Sequence, residues 1–102
     1  MKESGKKYHL PCSTIIYNQN IDIKTTRIAF ALSRKFGNAV VRNKVRRQIK
    51  EAVRKMIKES DPIFYDILFI PKKAMIGINY TELLSQIQRL FVFLRHNDST
   101  EG

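Results

Sequence analysis

Side chains able to do acid–base or metal chemistry are few and scattered. His9 and His96 lie near opposite ends of the chain with no partner at ligand or triad spacing, which fits a surface or core role better than catalysis. Glu59, Asp61 and Asp66 form the one local group of acids. Metal-dependent nucleases converge several carboxylates on one or two cations, whereas Glu59-Ser60-Asp61 reads as a helix end and turn. The four glycines, Gly5, Gly37, Gly77 and Gly102, are too far apart for a nucleotide-phosphate loop. Cys12 is the single cysteine; by itself it closes no internal disulfide and holds no zinc. No catalytic residue and no metal site is expected in this chain.

The residues offer binding chemistry instead. Between positions 34 and 58 stand Arg34, Lys35, Arg42, Lys44, Arg46, Arg47, Lys50, Arg54, Lys55 and Lys58 against one acid, Glu51. The rest of the chain carries nine basic and eight acidic side chains, so a nearly neutral scaffold presents one cationic element. A solvated face is the ordinary fate of a charged run. Like charges four residues apart on a helix repel, however, and this sign bias is better explained by an anionic partner. Arginine grips phosphate through two parallel N–H bonds, so a row of such side chains suits a nucleic-acid backbone.

Positioning that row requires a helix, and the apolar spacing predicts one. Val41, Val45, Ile49, Ala52, Val53 and Met56 recur at helical intervals after a Gly37-Asn38 turn and N-cap, giving a helix over about 38–60 that ends near Ser60-Asp61-Pro62. Asn43, Arg47, Lys50 and Arg54 fall opposite that stripe, with Arg46 on its flank. Ser13–Asn18 reads as a strand and Arg27–Ser33 as its partner, with a polar connection through Asn20 and Asp22. In the second strand Ile28, Phe30 and Leu32 share one face, while Arg27, Ala29, Ala31 and Ser33 share the other. Either a helix covers those alanines or an extended backbone lies along them. Phe64–Ile70 is almost wholly apolar, as expected of a central strand buried on both faces. Asn79, with Glu82 three residues on, reads as the cap of a last helix whose stripe is Leu83, Leu84, Ile87, Leu90, Phe91 and Leu94. The expected order is β-β-α-β-α.

One hundred and two residues allow a single domain, 1–102, and 43% hydrophobic content is enough to build its core. The net charge of +10 favours polyanionic partners over small acidic substrates. The longest apolar stretches, Ile28–Leu32 and Leu90–Leu94, are five residues each, far short of the roughly 18 needed to span a bilayer. The lysine-rich start has no apolar core of a secretory signal. With the lone cysteine, these features predict a cytoplasmic protein without membrane association.

The stretch Ser33-Arg34-Lys35-Phe36-Gly37-Asn38-Ala39-Val40-Val41-Arg42-Asn43-Lys44-Val45-Arg46-Arg47-Gln48-Ile49-Lys50-Glu51 closely resembles the signature of the bacterial ribonuclease P protein subunit. Weaker similarity runs from about Gly5 to the last helix, including Thr25-Thr26-Arg27 and Asn79-Tyr80. The resemblance implies an α+β fold, a two-layer α/β sandwich like the second domain of ribosomal protein S5, with a left-handed β-α-β crossover. It also implies the function: an RNA subunit, using Mg²⁺ that it mainly holds itself, removes the 5′ leader of precursor tRNA, and the protein assists without supplying a nucleophile. The implied gains are substrate affinity and a lowered Mg²⁺ demand. The implied partners are the ribonuclease P RNA and precursor tRNA, with no obligate protein partner.

Carried over by position, Arg34, Lys35, Asn38, Arg42, Asn43, Arg46, Arg47, Lys50 and Arg54 are the expected RNA-binding residues. Arg46 stands for a frequent lysine and Lys50 for a frequent arginine. Tyr17, Ala31 and Ser33 are the expected leader-binding residues, the tyrosine by stacking. Family members usually begin with a basic, aromatic-bearing helix, and that helix is expected to be missing here. The rival readings are a non-enzymatic ribosomal or general RNA-binding protein and, less consistent with the scattered carboxylates, a stand-alone protein nuclease.

Overall fold

A computed structural model describes residues 5–20, 22, 25–60 and 62–101, with side chains through residue 96. Asp61 and residues 1–4 of the lysine-rich start lie outside them. Four strands and two long helices follow in the order β1 (Lys6–Leu10), β2 (Ser13–Gln19), β3 (Arg27–Phe30), α1 (Ala39–Glu59), β4 (Tyr65–Pro71), a 3-10 turn (Lys73–Met75) and α2 (Tyr80–Glu101).

Strand β1 is an addition to the expected order. Its alternation is masked by Lys6, Lys7 and His9, and only Tyr8 and Leu10 among its side chains join or pack on the core. It pairs with β2 in an antiparallel hairpin, Tyr8 opposite Ile15 and Leu10 opposite Ser13, across the Pro11-Cys12 turn. Buried Gln86 of α2 fastens that turn: its Oε1 accepts from the Cys12 N–H at 3.2 Å, and its Nε2 donates to the Cys12 Sγ at 3.4 Å and to Glu82 at 3.0 Å. Hydrogen bonding on every side is what lets this amide sit in the core.

The expected pairing of β2 with β3 does not occur. The sheet order is β1-β2-β4-β3, so β4 lies between them, antiparallel to β2 and parallel to β3. A parallel neighbour needs a crossover connection, and α1 supplies it between β3 and β4. Strand β3 ends at Phe30, although the Ala31 N–H still donates to the Phe69 carbonyl at 2.9 Å.

Alternation along these strands builds two unlike faces. Ser13, Ile15 and Tyr17 of β2 and Tyr65, Ile67, Phe69 and Pro71 of β4 are buried on one face. They meet Val45, Ile49, Ala52, Val53 and Met56 of α1 and Leu83, Ile87, Leu90, Phe91 and Leu94 of α2 in one core. Each large apolar side chain so buried contributes about 1.5–3 kcal/mol. Both helices cover this face. Contrary to the expectation of burial on both sides, Asp66, Leu68 and Ile70 of β4 remain half-exposed on the other. An almost continuous apolar run fits a strand flanked by neighbours on both edges, but only one of its faces is roofed.

Helix α1 starts and stops within a residue of the expected bounds because its signals are local. The Asn38 Oδ1 accepts from the Val41 N–H at 3.0 Å. A Cβ on Gly37 would meet the Val41 Cγ1 at 2.9 Å, so only glycine lets the chain pass this close to the first turn. Asn79 caps α2 in the same way, accepting from the Glu82 N–H at 2.8 Å.

Candidate nucleic-acid interface

The apolar stripe of α1 turns its other side to solvent. Asn43, Arg47, Lys50 and Arg54 are exposed there, and Arg42 and Arg46 are half-buried on the flank. Two local contacts orient the flanking guanidiniums: Arg42 donates to the Gly37 carbonyl at 3.1 Å, and Arg46 to the Asn43 Oδ1 at 2.7 Å. None of Arg42, Arg46, Arg47, Lys50 and Arg54 is in an ion pair with a described carboxylate; the described pairs are Arg27 with Asp66 and Lys55 with Glu59. A row of cations without counter-charges on a 21-residue rigid helix is poised for phosphates. Arg34, Lys35 and Asn38 are exposed in the segment that leads into the helix, and the Asn38 carboxamide oxygen is engaged by the cap.

The acids do not gather. Glu59 pairs with Lys55 at 2.7 Å, and Asp66 receives two hydrogen bonds from the Arg27 guanidinium at 2.8 Å each and one from Asn20 at 2.6 Å. The Arg27 hydrogen bonds, helped by the Asn20 amide and opposed by partial burial, hold the Asp66 carboxyl below its ordinary range. Among the described residues no three His, Cys, Asp or Glu side chains converge into a metal site.

The unroofed sheet face is the second surface. Its centre is an apolar strip in which Ile16 of β2, Leu68 of β4 and Ala29 of β3 stand side by side in register. Thr14 and Ile70 form the next row. Ala31 and Ser33 are exposed beyond the end of β3.

Tyr17 requires a correction. Expected to offer its ring to a leader, it is only 5% exposed and lies on the roofed face, edge-on to Tyr65 and to Phe93 of α2 at centroid distances of 5.9 and 5.6 Å. Burial pushes its phenol pKa up. A strand reverses its side chains at every residue, so Tyr17 keeps company with Ile15, and Ile16 is the β2 side chain that reaches the open face. Phe93 also stacks on Tyr8 at 4.1 Å, closing the aromatic cluster.

Sequence reasoning also passed over Lys72 and Lys73. They follow directly on β4 and, with Lys35, edge an open depression of about 750 Å³ that Ala31, Ser33 and Ile70 also line. Their signal was a basic pair immediately after a strand, visible in Pro71-Lys72-Lys73.

Comparison with known proteins agrees with this geometry. A family model described as Ribonuclease P matches residues 1–95. The ribonuclease P protein component of Petrotoga mobilis is 44% identical over 80 residues, covering 74% of this chain and 66% of the relative. That of Finegoldia magna is 38% identical over 86 residues, covering 84% and 73%. In three dimensions, the solved RNase P protein of Thermotoga maritima superposes with a TM-score of 0.75 at 25% identity, covering 86% of this chain and 82% of that one. The Staphylococcus aureus RNase P protein, at 22% identity, shares the fold with a TM-score of 0.74. A pattern that runs through nearly all of the chain, relatives of this identity and the same sheet beneath the same helices leave one conclusion: the chain belongs to the ribonuclease P protein family.

Proposed function

We propose that this chain seats the exposed side of α1 on the ribonuclease P RNA and lays the 5′ leader of precursor tRNA along the open sheet face. The family's holoenzyme is the tRNA-processing ribonuclease P, in which the RNA subunit carries the catalysis. The observation that carries the reading is the row Asn43, Arg47, Lys50 and Arg54, flanked by Arg42 and Arg46, facing away from the core without described carboxylate partners. Phosphates of the RNA subunit would replace the missing counter-charges, and release of condensed counterions would drive association. The open face suits a single strand: bases lie on the strip of Ile16, Leu68 and Ala29, and Ala31 and Ser33 are small enough for a backbone to approach.

The protein's part is positional. Holding the leader on a rigid sheet while α1 is fixed on the RNA converts encounter of the scissile phosphate with the RNA core into an intramolecular event. Mg²⁺ supplies the hydrolytic chemistry on the RNA; in our reading the protein lowers the Mg²⁺ needed by bringing cations of its own to closely packed phosphates. No helix among the described residues is long and apolar enough to cross a membrane, and the compartment that suits this role is the cytoplasm, where precursor tRNA is made.

Reconstitution tests the reading. Purified chain added to a bacterial ribonuclease P RNA at low Mg²⁺ should restore accurate 5′-leader removal, with no cleavage when the RNA is left out. Binding without restored cleavage would favour a general RNA-binding protein, and cleavage by the chain alone would favour a protein nuclease.

A further inference from the structure

One exposed side chain of α1 breaks the chemistry of its outer side. At 100° per residue, Arg46, Lys50 and Ile57 lie within about 20° of one line along the helix, with Arg54 about 60° from Ile57, yet Ile57 is apolar and 45% exposed. A lone exposed isoleucine is ordinary; this one stands over a depression of about 270 Å³ between the end of α1 and the segments that enter β3 and β4. Exposed Pro62 and half-exposed Phe64 line it with Ile57, buried Phe91 of α2 lies beneath, and exposed Thr25 stands at its edge. No carboxylate is among its lining residues.

The recess is held open by backbone. The Thr26 Oγ1 donates to the Ile63 carbonyl at 2.7 Å, and the Asn20 N–H donates to the Phe64 carbonyl at 2.8 Å, so the segments that leave β2 and enter β3 are both tied to the approach of β4. Buried Ile63 anchors that approach in the core. A preformed recess pays little ordering entropy when it is filled. Cations stand beside its mouth: Arg54, one turn before Ile57, and Lys58, directly after it, are exposed, and neither is in a described ion pair.

We propose that this depression receives one unstacked base of the ribonuclease P RNA, whose flanking phosphates are held by Lys50, Arg54 and Lys58. A nucleotide joins a flat, weakly hydrated base to an anion, and an apolar recess with aromatic walls and a cationic border is complementary to both parts. Its volume falls below the roughly 300–1,000 Å³ of sites for drug-sized ligands, which suits a single ring system. The Thr25 hydroxyl, able to donate and to accept, serves the base edge. The site carries the α1 surface past its last arginine and rests on the seating of α1 proposed above. Both helices lie on the roofed side of the sheet, so the leader takes no part.

The test uses the full chain bound to a bacterial ribonuclease P RNA without precursor tRNA, probed at base edges with dimethyl sulfate and a carbodiimide and at the backbone with hydroxyl radicals. The wild type should protect one unpaired base beside the backbone positions shielded by α1. Ile57→Ala keeps its fold, because the side chain is already half in solvent. It should lose that base protection alone and weaken RNA binding about tenfold, as befits one stacked base. The salt slope should stay unchanged, because no phosphate contact is removed. Ile57→Met should keep both the protection and the affinity. Unchanged affinity and protection in Ile57→Ala would overturn the proposal and leave the depression to a protein side chain. A lowered salt slope or lost backbone protections would also overturn it, by making Ile57 a support for α1 rather than a contact to a base. A wild-type complex that shields backbone along α1 but no such base overturns the pocket alone; one whose backbone protections are indifferent to Arg47→Ala takes the α1 reading down with it.

Discussion

Alternate residues of the same strands make the two faces of this sheet, yet the faces have opposite fates. Tyr17, Ile67 and Phe69 point into a core roofed by both helices, while their neighbours Ile16, Leu68 and Ile70 are apolar and stay half-exposed. Composition does not separate them. An apolar side chain in a strand is thus no guide to whether it stabilises the fold or awaits a partner; what lies over it decides.

That contrast is breakable by mutation. The largest effect should come from Phe69→Ala, where loss of a fully buried ring leaves a cavity and costs about 3–5 kcal/mol in urea denaturation. Its neighbour Leu68→Ala should cost far less stability while weakening the binding of precursor tRNA relative to mature tRNA. Equal destabilisation at both positions would mean that the second face is roofed in solution. Next in size, Arg46→Ala or Arg47→Ala should reduce the salt slope of RNA binding by about 0.7–0.9 per lost phosphate contact, with thermal stability held or slightly raised as like-charge repulsion is relieved. An unchanged slope would show a merely solvated helix face.

A smaller effect is expected at the helix start. Asn38→Ala removes the acceptor for the Val41 N–H and should cost about 1 kcal/mol, and Asn38→Asp should recover most of it, both read by urea denaturation. The smallest effect concerns pH. The Asp66 carboxyl is held below its ordinary value by the Arg27 hydrogen bonds, so the folded state keeps it ionised where the unfolded chain, near pH 4, binds a proton. The contribution is complete above that value and fades as pH falls through the lowered one. Asp66→Asn should flatten the acid limb of the stability profile by lowering stability slightly at neutral pH, where the contribution is in force, and leaving it unchanged at the acid end; an unaltered acid limb would place the pair's strength elsewhere.

How much of this was legible beforehand follows the range of the forces involved. The bounds of α1, its cap and its charged side were all readable, because a turn of helix joins residues three or four apart and Asn38, Val41 and Arg42 settle the start among themselves. The family signature spans the same local stretch, Ser33 to Glu51. Strand β1 is hard to read from the sequence because exposed Lys6, Lys7 and His9 mask its alternation, and its pairing with β2 and the packing of Tyr8 and Leu10 supply the rest. The place of Tyr17 has a similar cause: the aptness of its ring for stacking is intrinsic, but the ring that it meets edge-on, Phe93, is far away in sequence.

By itself, then, the order of residues determined one amphipathic helix with a cationic outer side, a strongly basic composition and a family likeness. Tertiary structure alone decided that β4 separates β2 from β3, that both helices settle on the same side of the sheet, and that Lys35, Lys72 and Lys73 line one depression at its end. The reason is physical: helical periodicity is satisfied within a few residues, whereas strand pairing and coverage are contacts between segments tens of residues apart, as between Arg27 and Asp66, and are selected by the packing of the whole chain.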